Sequence, residues 1–349
     1  MKPAQKKILY IGFILLTLLI ILLIGIRSGD FESSMAAVFA IPRRYVLLCL
    51  LCTFGGIFSQ ALSCRSALRA MGRDVPMGQM YAISILGEFY SFITPGASGG
   101  QPMQVYQMRK RGIPVGDATS ALIMQYISYH FMLLVSDVVL GIANFGFAKK
   151  QIGVNWPFLL IGFLFNAFLV AMAVMLSFYQ RPVRWLLDRL VALMRRLKLG
   201  DPEKLRVRFS ESADSFYTST RFMLLHRAEL FKQLFFGAAR LVCMMSVFYF
   251  VYRGLGQRSV GYGRILTLGV MQYTSAAYTP LPGASGAQEG IFSVYFDQLL
   301  PDELLLSGLL AWRFISYYLV LIVGFIVVTA MGMRRRSIPA EADLADPGK

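Results

Sequence analysis

The chain has 349 residues, of which 56% are hydrophobic and only 15% are charged. Its mean hydropathy of +0.57 means more apolar surface than one soluble core can bury, so the composition excludes an ordinary soluble globular protein and predicts a membrane protein. The net charge of +16 indicates contacts with anionic lipid head groups and not nucleic-acid binding, because the basic residues lie between apolar runs of bilayer length.

Six apolar runs are long enough to cross a bilayer, which takes about 20 helical residues. They cover residues 8–26, 44–63, 117–147, 157–179, 230–254 and 303–331. The first run is not followed by a small-residue cleavage site, so it is interpreted as a retained helix and not as a signal peptide. The predicted fold is an all-α polytopic membrane protein with about six spanning helices.

Two shorter apolar stretches, at 79–94 and 264–281, each end in a Pro/Gly cluster that precedes a second short segment. These clusters form a repeat, PGASGGQ at 95–101 and PGASGAQ at 282–288, with six of seven positions identical. Proline ends a helix and glycine permits a tight turn, so each stretch is predicted to be a re-entrant broken-helix hairpin. Three predicted crossings separate the motifs, so the repeat is predicted to be inverted, with its tips meeting within the membrane.

The charge distribution predicts that both termini are cytoplasmic, because most of the 35 Lys and Arg residues then lie inside. We predict one transmembrane domain at 1–333, with repeat one at about 44–147 and repeat two at about 230–331. A cytoplasmic amphipathic insertion at 181–229 is interpreted either as a helix on the lipid surface or as a charged hairpin packed on the protein. The tail at 334–349 is predicted to be disordered.

The two tips are the predicted binding site. Ser98 and Ser285 are placed at capping positions of the half-helices that follow, whose unpaired backbone N–H groups attract anions such as phosphate. The alternative is that the glycines only permit close helix packing.

Charged residues inside apolar runs extend this site, because each is costly in a bilayer without a partner. Arg240 and Arg313 are predicted to hold a phosphate, while Glu88 and Glu289 balance them or carry a proton; two structural ion pairs are the alternative. The cysteines and His130 are interpreted as core residues. No catalytic residue, metal or cofactor is predicted. The predicted substrate-binding residues are Glu88, Pro95, Gly96, Ser98, Gly99, Gln101, Arg240, Pro282, Gly283, Ser285, Gly286, Gln288, Glu289 and Arg313.

Three segments carry a family resemblance: GEFYSFITPGASGGQPMQVYQMRKRGIP, TPLPGASGAQEGIFSVYF and AWRFISYY. They resemble the lysylphosphatidylglycerol synthase transmembrane-region family, also called the flippase-like domain family, over nearly the whole chain. The resemblance implicates the prolines and glycines of both tips, Glu289 and Arg313. Two departures are the lack of a soluble aminoacyl-transferase domain after Met333, and Gln101 and Gln104, which stand where relatives often have charged residues.

The resemblance implies a lipid transporter of the bacterial cytoplasmic membrane that moves an anionic phospholipid, an aminoacylated one included, or a polyprenyl-phosphate-type lipid. It also implies a link to antimicrobial peptide resistance. The predicted partners are lipids with anionic head groups, with a homodimer or a separately encoded synthase as further options. An enzyme is not predicted, because neither Ser98 nor Ser285 has an evident histidine partner. The alternatives are a lipid-binding partner or a phosphatidylglycerol lysyltransferase-type component of lipid modification.

Overall fold

A computed structural model describes residues 31–179, 225–276 and 278–334, together with the single positions 189, 217, 218 and 221. The predicted first span at 8–26, nearly all of the predicted insertion at 181–229 and the predicted tail beyond residue 334 lie outside the described residues. Those three predictions, and the cytoplasmic location of the termini, therefore remain predictions.

All regular elements in these described ranges are helical, as predicted. The main helices are α1 (Phe31–Phe39), α2 (Arg43–Ala70), α3 (Met77–Phe92), α4 (Gly100–Arg109), α5 (Val115–Ala143), α6 (Phe145–Ile152), α7 (Trp156–Phe178), α8 (Arg227–Gly254), α9 (Tyr262–Ala276), α10 (Ala287–Phe296), α11 (Asp302–Arg313) and α12 (Leu319–Arg334).

Five described segments are long and apolar enough to cross a membrane. They are Arg43–Ala70, Val115–Ala143, Phe145–Met175, Arg227–Gly254 and Asp302–Met331. Each coincides with one of the predicted apolar runs, because a helix satisfies all of its own backbone hydrogen bonds and is thus the favoured way for such a run to cross lipid. Five of the six predicted crossings are therefore confirmed as long apolar helices.

Both predicted helix breaks are present. The chain leaves α3 through a short 3-10 turn, Pro95–Ala97, and leaves α9 through the equivalent turn Pro282–Ala284. In the first hairpin, Gly87 of α3 faces Gln104 of α4, and Gly100 abuts the backbone of Gly87 and the side chain of Ser91. These contacts show that α3 and α4 pack closely and antiparallel.

The apolar interior is divided between the two hairpins. One cluster packs the first hairpin against α2 and α5, with Leu68, Met80 and Met124 fully buried. A larger cluster surrounds the second hairpin, where Phe248 of α8 stacks on Trp312 of α11 with ring centroids 4.8 Å apart. Helices α2 and α5 contribute to both clusters, and a smaller cluster packs Phe89 of the first hairpin against Tyr317 and Leu321 of the last helix.

The last helix is continuous from α11 to α12 but contains one π-helical segment, Phe314–Tyr318. The segment begins directly after Arg313 and includes Tyr317, whose hydroxyl donates to the carbonyl of Phe92 at 3.3 Å. Isolated π turns inside α-helices are often found at functional sites. Here the π segment lies against both hairpin tips.

Candidate functional site

A cavity of about 470 Å³ lies where the two hairpin tips meet. The tips touch directly, because the Gly96 N–H donates to the carbonyl of Pro280 at 3.0 Å. The cavity is bordered by both tips and by residues of the long helices α2, α5, α8 and α11. The two tips are thus in contact with each other.

The two tips have the same backbone conformation at their centres. Gly96 and Gly283 have φ values of 57° and 59°, and the alanines that follow, Ala97 and Ala284, have φ values of 54° and 50°. A left-handed conformation is uncommon for alanine and costs about 1–2 kcal/mol per residue. Its occurrence at both sites indicates that the surrounding packing imposes one turn geometry on both copies of the repeat.

The predicted cap at Ser98 is wrong. Helix α4 begins at Gly100, and its N-cap is Gly99, not the serine. The Gly99 N–H donates to Thr94 Oγ1 at 2.8 Å, and the Thr94 hydroxyl in turn donates to the Tyr90 carbonyl at 2.6 Å. The turn consumes one more residue than the sequence pattern suggested, and α4 begins without a side-chain cap, while Thr94 binds the N–H of the N-cap residue.

The predicted cap at Ser285 is also wrong, and the second tip uses a different group. Its N-cap is Gly286, with φ of 89°, and the N–H of this glycine donates to the Glu289 carboxylate at 2.6 Å. The tips therefore diverge after their alanines: Ser98 has ψ of −20°, whereas Ser285 has ψ of 140°. The repeat is close in sequence, but the N–H of the N-cap glycine is bound by a neutral hydroxyl in one copy and by a carboxylate in the other.

Glu289 also forms a buried ion pair with Arg313. Arg313 Nε lies 2.7 Å from a Glu289 carboxylate oxygen, and the side chains are only 5% and 7% exposed. The guanidinium lies 5.1 Å from the ring centre of Tyr317, and its Nη2 points to the Gly283 carbonyl at 3.5 Å. Arg313 thereby connects the last helix to the second tip.

A second ion pair lies on the other side of the cavity. Arg240 of α8 donates to the Glu88 carboxylate of α3 at 2.6 Å, with side chains 15% and 12% exposed. The Arg240 guanidinium also lies 4.6 Å from the ring centre of Tyr129. Both predicted arginines are paired with the predicted acids, so the alternative of two ion pairs describes their arrangement in this structure.

Eight of the predicted binding residues border the cavity, and six do not. Those on the border are Glu88, Gly96, Ser98, Gln101, Arg240, Gly283, Gln288 and Arg313. The other six shape the tips or hold a bordering residue: Pro95, Gly99, Pro282, Ser285, Gly286 and Glu289.

Several cavity residues were missed by the sequence reasoning. They are polar or aromatic and lie within long apolar runs: Gln60, Gln125, Tyr126, Tyr129, His130 and Tyr273. His130 has a partner, since its Nδ1 is 2.8 Å from Asn166 Oδ1, but it also borders the cavity. The glutamines could have been found from the sequence, because an amide inside an apolar run requires a polar partner and therefore indicates a polar site within the membrane.

No set of three or more His, Cys, Asp or Glu side chains within these ranges is arranged to hold a metal ion. The cysteines Cys49, Cys52, Cys64 and Cys243 are all free thiols, with Cys49 and Cys64 buried. The groups that border the cavity are guanidinium, carboxylate, amide, hydroxyl, imidazole and aromatic groups.

One family model matches this chain: the model described as lysylphosphatidylglycerol synthase TM region covers residues 9–324. The match includes both hairpins, the cavity and the two ion pairs. No curated protein matches the chain.

Proposed function

The chain belongs to the lysylphosphatidylglycerol synthase TM-region family, and we propose that it is a lipid transporter that moves an anionic lipid between the leaflets of the bacterial cytoplasmic membrane. The lipid is a phospholipid, aminoacylated or not, or a polyprenyl-phosphate-type lipid. One observation carries the proposal: a cavity with two arginines lies where two broken helices meet.

The ion pairs give the cavity a means of accepting a phosphate. Glu88 and Glu289 balance the charges of Arg240 and Arg313, and an unpaired charge at the centre of a bilayer costs at least about 2.5 kcal/mol. A phosphate can replace or share a carboxylate as the counterion of a guanidinium, since both anions match its planar set of donors. A head group could then enter without leaving a buried arginine unpaired.

The two hairpins supply the proposed alternating access. In an inverted repeat, the first hairpin enters from the cytoplasm and the second from the outside, so a rocking motion of one against the other would expose the cavity to each side in turn. The matching turns and the contact between the tips support this arrangement.

Cysteine labelling tests the inverted orientation. Gly78, at the start of α3, and Gly261, just before α9, are both exposed, and a Cβ at either position meets no atom within 4 Å. We expect a Gly78→Cys variant, in a background without the native cysteines, to react with an impermeant thiol reagent from the cytoplasmic side only. Gly261→Cys is expected to react from the opposite side only. Labelling of both from one side would refute the inverted arrangement.

A leaflet assay tests transport itself. Purified protein is reconstituted with a trace of fluorescent anionic phospholipid or polyprenyl phosphate, and dithionite reports the lipid that reaches the outer leaflet. Wild type is expected to accelerate the exchange and Arg313→Gln to abolish it. Arg69→Gln is the control, because Arg69 forms an exposed ion pair with Asp74 outside the cavity.

The variants must be shown to be folded before their rates are compared, which a single symmetrical gel-filtration peak and a melting midpoint well above the assay temperature establish. Exchange that is equal in wild type and Arg313→Gln would refute the role of the cavity. A folded wild type that binds these lipids but does not move them would favour the second candidate, a lipid-binding partner of a separately encoded synthase.

A further inference from the structure

A histidine in the wall of the cavity is held in one tautomer by a neighbouring helix. The Asn166 side chain of α7 donates its Nδ2–H to the Gly162 carbonyl at 3.0 Å, so its Oδ1 is left as an acceptor. This oxygen lies 2.8 Å from His130 Nδ1, and that nitrogen must therefore carry a proton. In a neutral imidazole the opposite nitrogen, Nε2, then has a free lone pair.

The free nitrogen is accessible from the cavity. His130 borders the cavity and is partly exposed. Its Nε2 has no hydrogen-bond partner in the described part of the chain and is not sealed from solvent. The ring also packs on Tyr126, with ring centroids 4.2 Å apart, which together with the Asn166 contact fixes its orientation. The cavity thus contains a basic nitrogen that no described residue uses.

The charged groups beside His130 are Arg240 of α8 and Glu88 of α3, which are paired with each other. One phenol ring contacts both cations: Tyr129 lies 5.3 Å from the His130 ring and 4.6 Å from the Arg240 guanidinium. The other titratable groups of this wall are phenols, which are neutral near pH 7: Tyr126, Tyr129 and Tyr273. Helices α2, α4 and α7 contribute no titratable side chain to it. A positive charge on His130 would therefore have no unpaired anion beside it, so an empty cavity favours the neutral ring.

We propose that His130 takes up a proton when an anionic head group occupies the cavity, so that one proton travels with each lipid. This inference rests on the proposed function and adds the ion that is coupled to it. The head group supplies the anion that the empty cavity lacks beside the ring.

The proton comes from water on the side to which the cavity is open. Hydronium gives its proton to Nε2, whose lone pair forms the new N–H bond, and a water molecule is released. The imidazolium then donates Nε2–H to a phosphate oxygen, which is a charge-assisted hydrogen bond, while Nδ1–H stays with Asn166. Release of the lipid on the other side removes the anion and returns the proton to water there.

Calorimetry measures proton uptake on binding. Dihexanoyl phosphatidylglycerol is titrated into the purified protein in two buffers that differ in their enthalpy of ionisation, and the difference in binding heat gives the number of protons taken up. Near neutral pH we expect about one proton per lipid. His130→Gln is expected to bind the lipid without proton uptake, because glutamine can still donate to Asn166 but is not basic. His226→Gln is the matched control, because His226 is the second of the two histidines, is exposed and does not border the cavity.

A pH difference across the membrane tests the coupling itself. A singly charged anion and one proton move as a neutral pair, so one pH unit is expected to enrich the fluorescent phospholipid about tenfold in the leaflet that faces the alkaline side. The dithionite assay reads this distribution at steady state. A potassium diffusion potential set with valinomycin is expected to have no effect. His130→Gln is expected to remove the response to pH, and His226→Gln to retain it.

Nitrogen-15 NMR of histidine-labelled wild type locates the proton without a variant of His130, since His226→Gln assigns the two signals. An imidazolium at His130 in the lipid-saturated protein supports the inference, and a neutral ring there overturns it. Proton uptake that survives in His130→Gln also overturns it and assigns the proton to a displaced Glu88.

The outcomes separate the inference from the function on which it rests. Lipid that is moved without linked proton uptake would overturn the inference while transport stands. Linked uptake at His130 by a protein that moves no lipid would overturn transport while the proton site stands. A folded wild type that binds no lipid would overturn both.

Discussion

Neutralising the buried Glu289 should destabilise the protein more than neutralising a charged residue on the surface. In Glu289→Gln the amide oxygen can still accept from the Gly286 N–H, but Arg313 loses its counterion in a site where its side chain is only 5% exposed. Removal of one partner of a buried ion pair costs about 3–5 kcal/mol. We therefore expect a loss of this size in the free energy of unfolding.

The double variant Glu289→Gln/Arg313→Met separates the charge effect from lost packing. It leaves no unpaired charge, so we expect it to recover most of the loss seen in Glu289→Gln. Unfolding can be followed with a thiol-reactive dye, because Cys49 and Cys64 are each only 1% exposed and become accessible when the helices separate. The same assay applies to all four proteins of the cycle.

Asp74→Asn provides the matched control, since Asp74 pairs with Arg69 on the surface and its side chain is 64% exposed. Its pKa is lowered by the hydrogen bond from Arg69, but solvent screens such a pair, and we expect no measurable shift of the melting midpoint. The reasoning would be refuted if Glu289→Gln and Asp74→Asn had the same melting midpoint. It would also be refuted if the loss of unfolding free energy in the double variant equalled the sum of the losses in the two single variants.

Three glycine substitutions give further tests by the same melting assay. Gly283→Ala places a Cβ into the ring of Tyr317 at a φ of 59°, so we expect it to displace the second tip and abolish transport. Gly96 is the matched control, because its φ is 57° but a Cβ there meets no atom within 4 Å. Gly96→Ala should therefore cost only the backbone strain of about 1–2 kcal/mol. Equal melting midpoints would contradict the collision. Gly162→Ala directs a Cβ at the backbone carbonyl of Thr274, and we expect a loss of about 1–3 kcal/mol from overpacking between α7 and α9; an unchanged midpoint would show that these helices can move apart freely.

The long helices and their breaks could be predicted because hydropathy and proline act locally. An apolar run of spanning length has few alternatives to a helix in lipid, and the Pro-Gly clusters at 95–96 and 282–283 interrupt α3 and α9 where the sequence indicated. The four charged residues of the site were also found from sequence, since a charge inside an apolar run needs a partner. The sequence did not predict which acid pairs with which arginine. The pairs Glu88–Arg240 and Glu289–Arg313 depend on contacts between helices that are far apart in the chain.

The helix starts after the tips and the meeting of two glutamines at the cavity could not be predicted from the sequence pattern. Ser98 matches the preferred residue type for an N-cap, but it follows the left-handed Ala97, and the helix begins only after Gly99, whose N–H is bound by Thr94. Gln60 and Gln125 lie in different spanning helices, 65 positions apart in the numbering. Each looks like an isolated polar residue until packing of α2 against α5 places both at one cavity.

The π segment at Phe314–Tyr318 adds one residue to the last helix within a single turn. A π turn holds one residue more than an α turn, so deletion of Ser316 would allow a regular α-helix to form through this point, and α11 and α12 would keep the faces with which they pack. The change would be local, because Arg313 and Tyr317, which now both face the second tip, would become three residues apart and no longer four. The extra residue thus lets one widened turn present two side chains to the cavity while the rest of the helix keeps its packing.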